Sequence, residues 1–164
     1  MTPALKTVSH LFTTSERMIA EILGHLDEKS LHFRPSEEMN TILRLYAHLS
    51  VQRHRLLNAL NDTKEANPFE ASAGEFPQAN EKPVAKANVD KDWAAVSAGL
   101  HHTLQDLTEH KLAGPGRGKG VFPTDDETLL GTIAFIAHQE AYHIGQMSFL
   151  ARMQGKLPNV GHLG

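Results

Sequence analysis

Four stretches of this chain repeat apolar residues at helical spacing, and turn-forming sequence closes each one; that alternation restricts the fold to packed helices. The first runs from about Thr2 to His25, where Leu5, Val8, Leu11, Phe12, Met18, Ile19, Ile22 and Leu23 approximate an i, i+3, i+4 pattern. Asp27 to Ser36 interrupts it. The second begins near Asn40, read as its N-cap, and aligns Ile42, Leu45, Tyr46, Leu49, Leu56, Leu57 and Leu60 on one stripe. The third starts near Asn88 to Asp90 and is carried by Trp93, Val96, Leu100, Leu104 and Leu107. The fourth spans about Asp126 to Gln154, capped by Thr124 or Asp125 and stopped by Gly155. With no convincing strand pair, the pattern predicts one all-α domain over residues 1–164: an up-down four-helix bundle with a long connection between helices 2 and 3.

That connection, residues 62 to 88, contains three prolines and no sustained period. Loops of this length in a compact domain tend to be functional or mobile, and it is expected to lie across one end of the bundle. The later "GPGRGKG" lacks phosphate-loop spacing and follows no strand, so it reads as a turn.

Composition narrows the chemistry. Cysteine is absent, which excludes disulfides, thiol nucleophiles and Cys-containing zinc sites; any metal must be held by His, Asp, Glu or a neutral oxygen. The net charge of −3 provides no electrostatic footprint for nucleic acid. No run of about eighteen apolar residues is present, and the N-terminal segment lacks signal-peptide organisation, so a soluble cytoplasmic protein without a membrane partner is expected.

Eleven histidines remain as candidate ligands. On the fourth helix Leu129, Leu130, Ile133, Ile136, Ala137, Ile144, Met147 and Ala151 mark the core stripe, and Glu140 falls near its middle. At about 100° per residue from Ile133, His143 lies near ~280° and Gln139 near ~240°, on one flank, whereas His138 lies near ~140°. Gln139, Glu140 and His143 thus form one polar cluster, and His138 points elsewhere unless a π-bulge intervenes. A carboxylate in an apolar stripe needs a cation, so Glu140 reads as a metal ligand or half of an ion pair. His48, on the flank of the second helix's stripe, either meets His143 across the bundle or is satisfied by backbone or water. Glu140 and His143 also match a di-iron Glu-x-x-His pattern, but no second copy exists. Gly145 is expected to let a neighbouring helix approach. Phe135 and Phe149, on the outer face, imply a partner helix or cover by residues 62 to 88.

The segment "ETLLGTIAFIAHQEAYHIGQMSFLARMQG" resembles the last helix of the DinB-like (DinB/YfiT) superfamily, and "TILRLYAHLSVQRHRLL" is similar to that family's second helix. The resemblance implies a four-helix bundle, often a homodimer, with a divalent metal, zinc or nickel, held by three histidines. Carried onto this chain, the metal ligands are His48 and His143, with Gln139 where the family has its middle histidine. Glu140 or His138 is the candidate replacement, because an amide oxygen is a poorer donor than imidazole. The family's activities imply a metal-dependent enzyme, a thiol-dependent S-transferase or hydrolase acting on a small molecule such as a low-molecular-weight thiol, with Tyr142 or Gln146 orienting the substrate. The alternative is a degenerate, metal-free bundle serving as a small-molecule binding or dimeric interaction module.

Overall fold

The computed structural model describes residues 2–71, 84–116 and 125–156. Four long helices, α1 (Pro3–Gly24), α3 (Ile42–Asn61), α4 (Lys86–Gln105) and α6 (Leu129–Met153), are joined by two short ones, α2 (Glu28–Leu31) and α5 (Glu109–Ala113). No strand occurs among the described residues, only an isolated bridge between Pro115 and Thr128. None of the described helices is long and apolar enough to cross a membrane.

Local chemistry explains the ends. Thr2, Asp27, Thr41, Thr108 and Thr128 each accept a backbone N–H from the first turn of the helix that follows. The second periodic segment is therefore capped by Thr41, not Asn40, whose side chain instead accepts from Arg44. The last helix starts at Leu129, the first residue of its stripe, behind Thr128 and not at Asp126 behind Asp125, the other cap candidate, Thr124, lying outside the described residues; the residues before it fold back, and Leu129 N–H donates to the Gly114 carbonyl at 2.9 Å. Gly155 does end α6; its φ of 72° is left-handed, and Lys156 N–H reaches the Ala151 carbonyl at 3.1 Å. The third segment divides at Asp106 into α4 and α5, and α2 occupies part of the predicted break after α1.

Facing residues give the helix directions. Ser50 meets Asp92, Arg53 meets Ser97 and Asn61 meets Thr103, so α3 and α4 run parallel. Arg53 meets Glu140 and His48 faces His143, so α3 and α6 run antiparallel. In chain order the long helices run up, down, down, up: alternation holds from α1 to α3 and pauses between α3 and α4. Parallel neighbours need a connection that returns the length of a helix, about 30 Å for twenty residues, which is why the long linker falls there. Its first part is docked: Phe69 is buried, and Asn67 reaches Asp92, which also takes the Ser50 hydroxyl at 2.5 Å and His54 at 3.1 Å. Residues 72–83 of that linker lie outside the described residues, as do residues 117–120 of the glycine-rich turn.

The core divides into two apolar clusters, one around Ile19, Leu45, Leu49, Trp93, Ile144 and Met147, the other around Leu5, Phe12, Leu56, Leu100, Ile133 and Ile136. Between them lies Arg53, fully buried. Its Nε and Nη2 donate to the two Glu140 oxygens at 2.6 and 2.9 Å, Nη1 donates to Glu16 at 2.5 Å and Ser97 at 2.7 Å, and Nη2 also donates to the Phe12 carbonyl at 3.3 Å. All five N–H groups of the guanidinium are thereby used. The indole of Trp93 stacks on it, 4.0 Å from Cζ to the ring centroid.

Breaking this pair from one side strands a charge in the core. Arg53→Met is expected to lower stability by about 3–5 kcal/mol, and Arg53→Met combined with Glu140→Leu to recover most of it, as read by chemical denaturation. A single variant within experimental error of the parent would refute the assignment. Gly131 makes a second prediction: a Cβ there would stand 2.3 Å from the Asp126 carbonyl oxygen. Gly131→Ala should therefore cost about 1–3 kcal/mol, although alanine ordinarily favours a helix.

Candidate functional site

His48 on α3 and His143 on α6 face each other across the apolar end of the bundle, ring centroids 4.8 Å apart and planes at 72°. The meeting follows from the register of the ion pair, because in antiparallel helices a step back from Arg53 to His48 matches a step forward from Glu140 to His143. Both rings are nearly buried, at 6% and 8% exposure. Each is held by a glutamine about one turn further along its own helix. The Gln146 Oε1 lies 3.1 Å from His143 Nδ1, a contact that is a hydrogen bond to the tautomer carrying its proton on Nδ1. The Gln52 amide nitrogen lies 3.1 Å from His48 Nε2. The exposed Tyr142 ring packs edge-on against His143 at 5.2 Å.

Beside His143 opens a groove of about 550 Å³. One wall is the chain entering α3, Glu38, Met39 and Asn40; the other is α6, including Gly145 and Gln146. Gly145 does not admit a helix, as its position had suggested: it is exposed, and a Cβ there would meet nothing within 4 Å. Phe149 is exposed on the same wall, whereas Phe135 packs against the second core cluster.

The other candidate ligands separate. Glu140 is wholly buried with both oxygens on Arg53, and the Ser15 hydroxyl is a further partner. Burial pushes its carboxyl above the ordinary glutamate range, and the Arg53 charge and hydrogen bonds only partly oppose that. For Arg53 the largest influence, burial, acts to lower the pKa, but Glu140 and Glu16 outweigh it and hold the guanidinium charged. Of the two sequence readings of Glu140, the structure contains the ion pair. Gln139 is half-buried one turn before His143, and His138 is exposed. Among the described residues no three His, Asp or Glu side chains converge as a metal-binding group. His10 is exposed on α1, His101 bonds Glu16 at 2.9 Å, and His162 lies outside the described residues.

Arg53 is the residue that sequence reasoning missed. Its signal was present: it occupies the stripe position between Leu49 and Leu56, a cation in an apolar row matching the anion Glu140 in another.

A solved structure, a conserved protein from Enterococcus faecalis, superposes with a TM-score of 0.73 over 95% of this chain and 100% of its own, at 17% identity, a likeness of fold alone. No curated protein matches. A family model described as the DinB superfamily matches residues 11–147. This match covers most of the sequence and the helical fold agrees with it: the chain belongs to the DinB superfamily.

Proposed function

We propose that this protein binds a small molecule in the groove beside His143, and that His48 and His143 hold a divalent ion, zinc or nickel, loosely at its inner end. The observation that carries the reading is the approach of two nearly buried imidazoles, 4.8 Å apart, one of which, His143, lines a groove of about 550 Å³. The residues fit such an ion in two positions of three. Gln139 would supply the third donor as a neutral amide oxygen, and Glu140 is committed to Arg53. A bound divalent ion supplies Lewis acidity, lowering the pKa of a water or thiol to give a nucleophile for transferase or hydrolase chemistry. The chain's own part is to fix the rings and shape the groove: Gln146 selects the His143 tautomer, and Tyr142 packs its exposed ring against the same imidazole.

A second reading, a metal-free binding bundle, is favoured by the occupied Glu140 and by the amide at position 139. Metal content after loading with zinc or nickel and desalting separates the two. Under the first reading the parent retains well under one ion per chain, His143→Ala retains none, and Gln139→His approaches one, with affinity raised by orders of magnitude through a restored i, i+4 imidazole pair. A Gln139→His protein that gains no metal would establish the second.

The tautomer assignment is testable without any ligand. Long-range proton–nitrogen correlation should place the His143 proton on Nδ1 in the parent protein and a mixture of tautomers in Gln146→Ala. An unchanged spectrum would show that Gln146 does not orient the ring.

A further inference from the structure

Glycine in a helix interior costs about 1 kcal/mol relative to alanine, and such a residue usually has a packing reason. Gly131 has one, in the Asp126 backbone against it. Gly145, in the middle of α6, has none: nothing lies within 4 Å of where its Cβ would be, and no left-handed φ requires glycine there. What the missing side chain does create is room, because Gly145 lines the groove beside His143.

The surroundings of that gap define what fits it. Tyr142 and Phe149, three residues before and four after, are each 58% exposed and line the same groove. They stand about 10 Å apart along α6 at 1.5 Å per residue, so two aromatic side chains bracket a stretch whose middle has no side chain. Leu45, Met39 and Leu150 add apolar surface. Among the described residues the polar groups of the lining are Asn40, Gln146, His143 and the Tyr142 hydroxyl, and the one carboxylate is Glu38. Among the described residues no lysine or arginine lines the groove; Arg44 is buried, with its guanidinium on the Asn40 side chain.

We infer that Gly145 is the specificity-determining position of this groove, and that the ligand class is a molecule with an aromatic ring seated over Gly145 between Tyr142 and Phe149 and a neutral or singly positive polar head. An anionic head is disfavoured because Glu38 repels it and none of the described wall residues is a lysine or arginine that could receive it. A positive head gains from Glu38 and from the exposed aromatic faces. The volume, about 550 Å³, is that of a small-molecule site. This inference rests on the reading of the groove as the ligand site, and it does not require a metal.

The test uses three probes of one shape and different charge: benzylamine, benzyl alcohol and phenylacetate, titrated into the full-length protein while amide shifts are followed by NMR. The expected result is perturbation centred on residues 142 to 150, with benzylamine about fivefold tighter than benzyl alcohol, and phenylacetate weakest. Glu38→Gln should abolish the preference for the amine, and Gly145→Leu should weaken all three at least about tenfold. Both positions are exposed and Gly145→Leu favours the helix, so neither change threatens folding. Zinc or nickel binding should survive in Gly145→Leu and be lost in His143→Ala, so failure of the metal reading and failure of this one are told apart. The inference is overturned if phenylacetate binds as well as the amine, if no probe perturbs the groove, or if Gly145→Leu binds them as the parent does. Sedimentation revealing a dimer that Phe149→Asp dissolves would also overturn it, by showing the groove covered by a second copy.

Discussion

A single buried guanidinium sets the geometry of this bundle. Arg53 lies midway along α3 between two apolar clusters and meets an acceptor with every N–H it has, from α1, α4 and α6. Removing such a charge from water is expensive, and its net contribution to stability is small or negative compared with a well-packed apolar residue. Its value is in specification. Sliding α6 against α3 by one turn would keep apolar side chains in contact but would leave Glu140 and Arg53 unpaired in the core, so the ion pair fixes a register that apolar packing alone leaves loose.

That register is what assembles the candidate site. Once Arg53 is opposite Glu140, His48 must face His143, and the turn carrying Glu38 to Asn40 comes to lie beside the same stretch of α6. The two roles are spatially separate: Glu140 serves the core and His143 serves the groove, although they are one turn apart on one helix. Their separation explains why a carboxylate so near the histidines does not join them. Among the described residues no third His, Asp or Glu side chain joins the histidine pair.

The linker after α3 belongs to the same logic. Parallel packing of α3 and α4 demands a long return, and the described part is fastened rather than loose. Asp92 gathers Ser50, His54 and Asn67, and Phe69 is buried against the core. The Ser50 hydroxyl donates directly to the Asp92 carboxylate, and the effect of Asp92 is to tie the linker to two helices.

The sequence by itself determined the four long helices and the Gly155 stop, because apolar period and a C-terminal glycine are local properties readable within a few residues, whereas the caps it suggested, Asn40 and Asp125, gave way to Thr41 and Thr128. It placed His48 and His143 on the flanks of their stripes but left open whether they meet, which the tertiary structure decided. It also showed an anion in one stripe and a cation in another, Glu140 and Arg53, but not that they meet, because pairing across 87 residues depends on which helices become neighbours and at what register. Tertiary structure alone decided the parallel run of α3 and α4, the distribution of Arg53's donors and the opening beside Gly145. These are properties of the space between elements, where the same local pattern admits several arrangements and only the simultaneous satisfaction of buried charge, apolar area and chain connection selects one.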